Sequence, residues 1–130
     1  MEPADRLEIH ELPGRYGDAI DDRNWEGLGR VFTDDATFDL TDLGGPVLRG
    51  LDEIRRYMDT EATHPQTHLM ANIYVDEQGP DTAMMYFRIV ARAKGGVFGT
   101  ASYYDDVVRT PAGWRVKDRL IALRRRPRIT

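Results

Sequence analysis

The stretch RYGDAIDDRNW, Arg15 to Trp25, decides how the rest of the chain is interpreted, because it lies where one predicted helix ends and another begins. Apolar residues recur at three- and four-residue spacing from Ile9 to Ile20, and this spacing predicts one buried face of a helix. Pro13 removes a backbone donor, so we expect a kink or a restart there. Asp21 then lies near a helix C-terminus, where the negative end of the helix dipole disfavours a carboxylate.

Length and composition are those of an ordinary globular chain. It has 130 residues, of which 41% are hydrophobic and 31% charged, so we expect a single domain over residues 1–130. The net charge of −4 argues against nucleic acid as a partner, and no apolar run is long enough to cross a membrane. The absence of cysteine excludes disulfides and thiolate zinc sites.

Two observations concern the ends of the chain. The charged N-terminus lacks the apolar segment of a secretory signal, so a cytoplasmic location is expected. The arginine-rich stretch from Leu123 to Arg128 fits either a nucleic-acid or membrane patch or a solvated end that offsets the acidic first half. We favour the solvated end.

Helical and extended patterns occupy different halves of the chain. The first half predicts a short helix over Asn24–Phe32, a strand over Ala36–Leu40 and a helix over Leu51–Thr60. In the second half, turn signals at QGPD, KGG and TPAG separate four predicted strands: Gln66–Asp76, Thr82–Ala93, Val97–Arg109 and Trp114–Leu123. Short turns between consecutive strands indicate an antiparallel meander, so the fold class is α+β.

The first of these four strands has two different faces. Strict alternation places four apolar residues on one face: Leu69, Ala71, Ile73 and Val75. It places four mixed polar and apolar residues on the other: His68, Met70, Asn72 and Tyr74. This mixed face is interpreted either as the wall of a ligand pocket or as a half-exposed outer surface.

The order of the motifs resembles that of SnoaL-like domains, which belong to the nuclear-transport-factor-2-like (NTF2-like) superfamily. The motifs are Tyr16-x4-Asp21, Asn24-Trp25, LxxVFTDDATFD, THLMAN, YYDDVVRT and GWRVKDR. The resemblance extends from Leu7 to Leu123. It implies a cone in which a curved, mostly antiparallel sheet wraps around the N-terminal helices and encloses an apolar pocket.

The resemblance also implies three catalytic residues. Asp21 is similar in position to the pocket aspartate of scytalone dehydratase, and His68 in the Gln-Thr-His stretch is similar to its pocket histidine. Bile acid 7α-dehydratase has a tyrosine five residues before the aspartate, which Tyr16 matches here. The second pocket histidine of scytalone dehydratase has no counterpart in the matching region, so the bile acid dehydratase pattern fits better. A carboxylate beside an imidazole can move a proton, with either group as the base, while Tyr16 stabilises charge on a substrate oxygen.

Further residues are candidates for binding substrate. They are Asn72, Met70, Met85, Phe87, Tyr103 and Arg119. Each apolar member is also interpreted as ordinary core, and we favour the core. Arg119 either binds a substrate carboxylate or pairs with Asp118 or Asp105, and we favour the pairing. For Asp105 we expect a role in stabilising the sheet.

Three functional hypotheses remain open. The first is a cofactor-independent dehydratase or isomerase acting on a hydrophobic cyclic or polyketide-like molecule. The second is a non-catalytic binding or accessory module, and the third is a cyclase or epoxide hydrolase that uses Arg88, Arg119 and Asp118.

No cofactor or metal is predicted, because Pro65 spoils the helical spacing of His64 and His68 and no Gly-rich phosphate loop is present. Apolar residues on both faces of the central strands predict a homodimer packed through the outer face of the sheet.

Overall fold

The computed structural model describes residues 1–92 and 94–124. The predicted end of one strand at Ala93 and the arginine tail beyond residue 124 therefore lie outside the described residues. No helix in these two ranges is long and apolar enough to cross a membrane.

The described chain forms two α-helices, six strands and short 3₁₀ turns. The helices are α1 (Pro3–Asp21) and α2 (Leu51–Thr60). The strands are β1 (Phe32–Asp39), β2 (Val47–Arg49), β3 (Thr67–Glu77), β4 (Thr82–Arg92), β5 (Phe98–Thr110) and β6 (Gly113–Leu123). The 3₁₀ turns are Trp25–Arg30, Thr41–Leu43 and Lys94–Gly96.

One open sheet holds all six strands, in the order β2-β1-β6-β5-β4-β3. Only the β1–β6 pair is parallel among these described strands, because the chain leaves β1 through β2 and α2 before it enters the meander. Helix α1 packs against β3 and β6, and α2 packs against β1 and β2. The predicted α+β architecture, with a mostly antiparallel sheet around the N-terminal helices, is confirmed.

Helix α1 and the turn that follows it differ from the prediction. Helix α1 passes through Pro13 without a restart, because residues before and after the proline, including Leu12 and Tyr16, are buried on the same face. The helix predicted over Asn24–Phe32 is only the 3₁₀ turn Trp25–Arg30, and Phe32 already belongs to β1. Two glycines in the turn weaken the α-helix.

A bulge in β3 changes the predicted faces of that strand. Asn72 has a φ of 53°, and the pairing with β4 shifts between Ala71 and Tyr74. His68 therefore points inward before the bulge and Val75 points inward after it, whereas Asn72 and Tyr74 are exposed. The prediction that His68, Asn72 and Tyr74 share a face was wrong, since strict alternation fails at an inserted residue.

The turn between β5 and β6 is tied to α1. Gly113 has a φ of 120°, and a Cβ atom at this position would overlap the carboxylate of Glu8. That carboxylate accepts a hydrogen bond from the backbone N–H of Trp114 at 2.8 Å. Only glycine therefore fits at this contact.

Candidate active site

Asp21 and His68 meet where α1 ends against the start of β3. The distance from Asp21 Oδ1 to His68 Nδ1 is 2.5 Å. Asp21 Oδ2 accepts a hydrogen bond from the backbone N–H of His68 at 2.9 Å and one from the Thr67 hydroxyl at 3.4 Å. The carboxylate therefore fixes both the ring and the backbone of His68.

The contact determines the protonation pattern of the imidazole. A carboxylate can only accept, so Nδ1 of His68 carries the shared proton and Nε2 is the basic nitrogen of the neutral ring. Within residues 1–92 and 94–124, Nε2 makes no hydrogen bond. The His68 side chain is only 7% exposed, yet it lines the main cavity. This is the arrangement of a base that is oriented from behind by a carboxylate.

The main cavity has a volume of about 490 Å³ and opens between α2 and the sheet. This volume falls within the range of ordinary small-molecule sites. Most of its wall is apolar, with side chains that include Phe38, Leu40, Met58, Ile89, Ile121 and Leu123. The polar side chains are few: Tyr16, Tyr57, Glu61, Thr63, His64, His68, Thr100 and Tyr103. An apolar chamber with a few polar groups favours a hydrophobic ligand that has a small number of oriented functional groups.

Tyr16 and Tyr103 place two phenols on the cavity wall, with ring centroids 6.0 Å apart. Each residue is 3% exposed. Burial raises the pKa of Tyr16, although the positive charge of Arg119 opposes the rise. Burial also raises the pKa of Tyr103 well above its usual value, and neighbouring Tyr16 adds to the rise. Both phenols therefore remain protonated near neutral pH. The hydroxyl of Tyr103 donates a hydrogen bond to the oxygen of Tyr16, so the Tyr16 hydroxyl is the one whose proton is available to a ligand.

Arg119 lies behind these tyrosines and does not line the cavity. Its side chain and that of Asp105 are both 0% exposed, and two hydrogen bonds of 2.9 and 2.7 Å join them. Five aromatic rings surround the guanidinium at 4.3–5.5 Å: Tyr16, Phe32, Phe38, Phe87 and Tyr103. Burial raises the pKa of Asp105 against the opposing charge of Arg119. Asp105 engages Nε and Nη2 of Arg119, whereas Nη1 has no hydrogen-bond partner among the described residues, so substrate binding by Arg119 stays a prediction.

Four other predicted substrate-binding residues also lie away from the cavity. Asn72 is on the outer surface because of the bulge, and Met85 is 0% exposed in the core. Phe87 stacks on Tyr103 with centroids 4.6 Å apart and so supports the wall from behind. Met70 lines a separate crevice between α1 and β3, next to Gly17. Of the six, only Tyr103 lines the cavity.

The residues named for a cyclase or epoxide hydrolase do not meet in the cavity. Arg88 lines a depression on the outer face of the sheet, and Asp118 accepts a hydrogen bond from Thr37 at 2.6 Å. Arg119 is buried with Asp105. In the described ranges, no three His, Asp or Glu side chains are arranged to hold a metal ion.

Sequence reasoning missed the part of the wall that follows α2. Glu61 and His64 line the cavity from the segment between α2 and β3. Tyr57 and Met58 of α2 also line the cavity. No periodicity in the irregular segment predicted that His64 would join them.

A sequence profile of the SnoaL-like domain matches residues 1–120. The chain belongs to the SnoaL-like family. The similarity to an uncharacterised protein of Mycobacterium tuberculosis is 37% identity over 123 residues, which cover 88% of this SnoaL-like chain and 82% of that protein.

Two further relatives have more informative descriptions. The small subunit of anthranilate 1,2-dioxygenase from Burkholderia cepacia is 30% identical over 131 residues, covering 85% of this SnoaL-like chain and 81% of the subunit. A solved NTF2-like protein with a cystatin-like fold from Novosphingobium aromaticivorans has a TM-score of 0.79 at 28% identity, covering 92% of this chain and 82% of that one. The family and the NTF2-like fold predicted from the sequence are confirmed. The particular kinship to bile acid 7α-dehydratase and scytalone dehydratase stays a prediction.

Proposed function

We propose that this SnoaL-like domain is a cofactor-independent acid–base enzyme, a dehydratase or isomerase acting on a hydrophobic cyclic or polyketide-like molecule. The observation that carries the proposal is the contact between Asp21 and His68, which leaves Nε2 as the basic nitrogen of a side chain that lines the mostly apolar cavity. The apolar wall favours a hydrophobic substrate, and the two phenols favour one with a carbonyl oxygen.

The chemistry follows from the order of these groups. Tyr16, which accepts a hydrogen bond from Tyr103, donates one to the substrate carbonyl, and this lowers the cost of forming an enolate. His68 removes a proton from the adjacent carbon through Nε2, and Asp21 stabilises the resulting imidazolium. The imidazolium then returns the proton, either to a leaving hydroxyl group or to another carbon of the enolate. The first outcome is dehydration and the second is double-bond migration.

The proposal is tested by the exchange of α-hydrogens of cyclic ketones with solvent deuterium, followed by NMR. This assay measures proton abstraction without requiring the natural substrate. Asp21→Asn and His68→Gln are expected to lower the protein-catalysed exchange rate about 10²- to 10⁴-fold. Asp18→Asn is the matched control, since Asp18 is an exposed carboxylate on the last turns of the same helix.

Stability is measured on the same proteins. Retained unfolding free energy with lost exchange in the Asp21 variant supports the proposal. Loss of both in parallel assigns Asp21 a structural role, and exchange that survives both substitutions removes the dyad from the mechanism.

A second candidate function is an accessory subunit of a larger enzyme. It is favoured by the similarity to the anthranilate 1,2-dioxygenase small subunit and by exposed apolar residues such as Tyr74 and Leu69, which are 55% and 60% exposed. This function predicts no exchange activity in the purified protein and no effect of Asp21→Asn beyond stability.

A further inference from the structure

We propose that His64 selects substrates that have a hydroxyl group β to the carbonyl, by accepting a hydrogen bond from that hydroxyl at Nδ1. The proposal rests on the proposed acid–base function and specifies its substrate class. Its basis is a second imidazole on the wall of the cavity that also contains His68.

The hydrogen bond of His64 determines which of its nitrogens is free. Nε2 lies 2.6 Å from the carbonyl oxygen of Met58. A carbonyl oxygen can only accept, so Nε2 carries the proton and Nδ1 of the neutral ring has the lone pair. Nδ1 makes no hydrogen bond to any residue in the described ranges. His64 therefore has one unused acceptor.

The His64 ring is also held by groups outside the cavity wall. It packs against the indole of Trp25 at a centroid distance of 5.5 Å and an interplanar angle of 39°. The indole in turn donates a hydrogen bond from Nε1 to Asp59 at 3.1 Å. Together with the bond to Met58, these contacts orient the imidazole before any ligand arrives. A preorganised acceptor is the kind of group that provides specificity in an otherwise apolar site.

Charge separates the tasks of the two histidines. Asp21 stabilises a protonated His68, whereas His64 has a neutral carbonyl as its partner. Burial is the largest effect and lowers the pKa of His64. The hydrogen bond to Met58 opposes it, whereas the charges of Arg23 and His68 act in the same direction as burial. His68 can thus take up and return a proton, while His64 remains a neutral acceptor.

These positions define a substrate with three polar features on a hydrophobic ring. The carbonyl faces Tyr16 and Tyr103, the α-hydrogen faces His68, and the β-hydroxyl donates to His64. In the reaction the Cα–H bond breaks and its proton moves to Nε2 of His68. The C–O bond then breaks, a C=C bond forms, and the hydroxyl leaves with that proton as water. His64 gains no proton and only orients the leaving group.

The test compares two probes that differ by one hydroxyl group, 1-decalone and 3-hydroxy-1-decalone. Protein labelled with ¹⁵N-histidine reports the tautomer of each ring and the affinity for each ketone by NMR titration. We expect the Nε2–H tautomer for His64, the Nδ1–H tautomer for His68, and tighter binding of the hydroxy ketone.

Two variants separate a specific contact from a structural role. His64→Phe is expected to abolish a preference of about tenfold for the hydroxy ketone over 1-decalone. His64→Asn is expected to restore most of the preference, because its amide oxygen replaces the Nδ1 acceptor.

Four results would overturn the proposal: an Nδ1–H tautomer of His64, no binding of either ketone, equal weakening of both ketones by His64→Phe, or an unchanged preference in that variant. The proposed function fails separately. If α-hydrogen exchange is absent while the hydroxyl preference depends on His64, the cavity binds such ketones without turning them over.

Discussion

The buried pair of Arg119 and Asp105 leads to a large predicted loss of stability on substitution of one partner. The Arg119 side chain is 0% exposed, and Asp105 is the only carboxylate among the described residues that hydrogen-bonds it. Asp105→Asn removes this carboxylate. Leaving a buried charge uncompensated costs about 3–5 kcal/mol. A domain of this length has a total unfolding free energy of roughly 7–20 kcal/mol, so the variant should lose a large share of it.

Urea unfolding followed by tryptophan fluorescence measures the effect, since Trp114 is buried in the core. With a slope of about 2 kcal/mol per molar urea, the midpoint should fall by about 2 M. Asp35→Asn is the control, because the pair of Asp35 and Lys117 is exposed and screened by solvent. The double variant Asp105→Leu, Arg119→Met should recover most of the loss, since it removes both buried charges. An Asp105→Asn variant no less stable than Asp35→Asn would refute the reasoning.

Three more predictions concern other parts of the molecule. Gly113→Ala should lower the unfolding free energy by about 1–3 kcal/mol, because a φ of 120° is strained for alanine and the added methyl group would meet Glu8. Urea unfolding measures the loss, and an unchanged midpoint would contradict the prediction. The pKa of His64 is below its ordinary value of 6.5, so between these two values the unfolded chain binds more protons than the folded one, and the unfolding free energy should fall as the pH drops. His64→Asn should flatten this pH dependence of the unfolding free energy, and an unaltered slope would count against the prediction. The protein should be a homodimer through the outer face of the sheet, where the rings of Tyr74 and Tyr86 stack at 4.9 Å; light scattering should show twice the chain mass, and a monomer at micromolar concentration would remove the prediction.

The sequence predicted the elements better than their faces. The turn signals QGPD, KGG and TPAG placed the strands within a residue or two, because each turn interrupts an extended run. Strand β2 was missed, since three residues give no measurable alternation. The bulge was missed because Asn72 is not a glycine, and nothing in its identity requires a φ of 53°.

The candidate site was predictable in part. The spacing of Tyr16, Asp21 and His68 resembled a known family pattern, and the structure brings the aspartate and the histidine into contact. The wall of the cavity was not predictable from strand parity, because large inward residues such as Met85 pack below it. His64 was missed because an irregular segment places it, and only the packing of Trp25 and Met58 determines where the ring lies.

The bulge at Asn72 divides β3 into two half-strands, and the alternation of inward and outward side chains differs between them. The half before it positions His68 on the cavity, and the half after it contributes Tyr74 to the outer surface. A substitution that alters the outer surface therefore leaves the half with His68 untouched, so the two surfaces can evolve separately along one strand. A change in length is different, because loss of the single inserted residue would join the halves into one regular alternation and force one of the two surfaces to turn over.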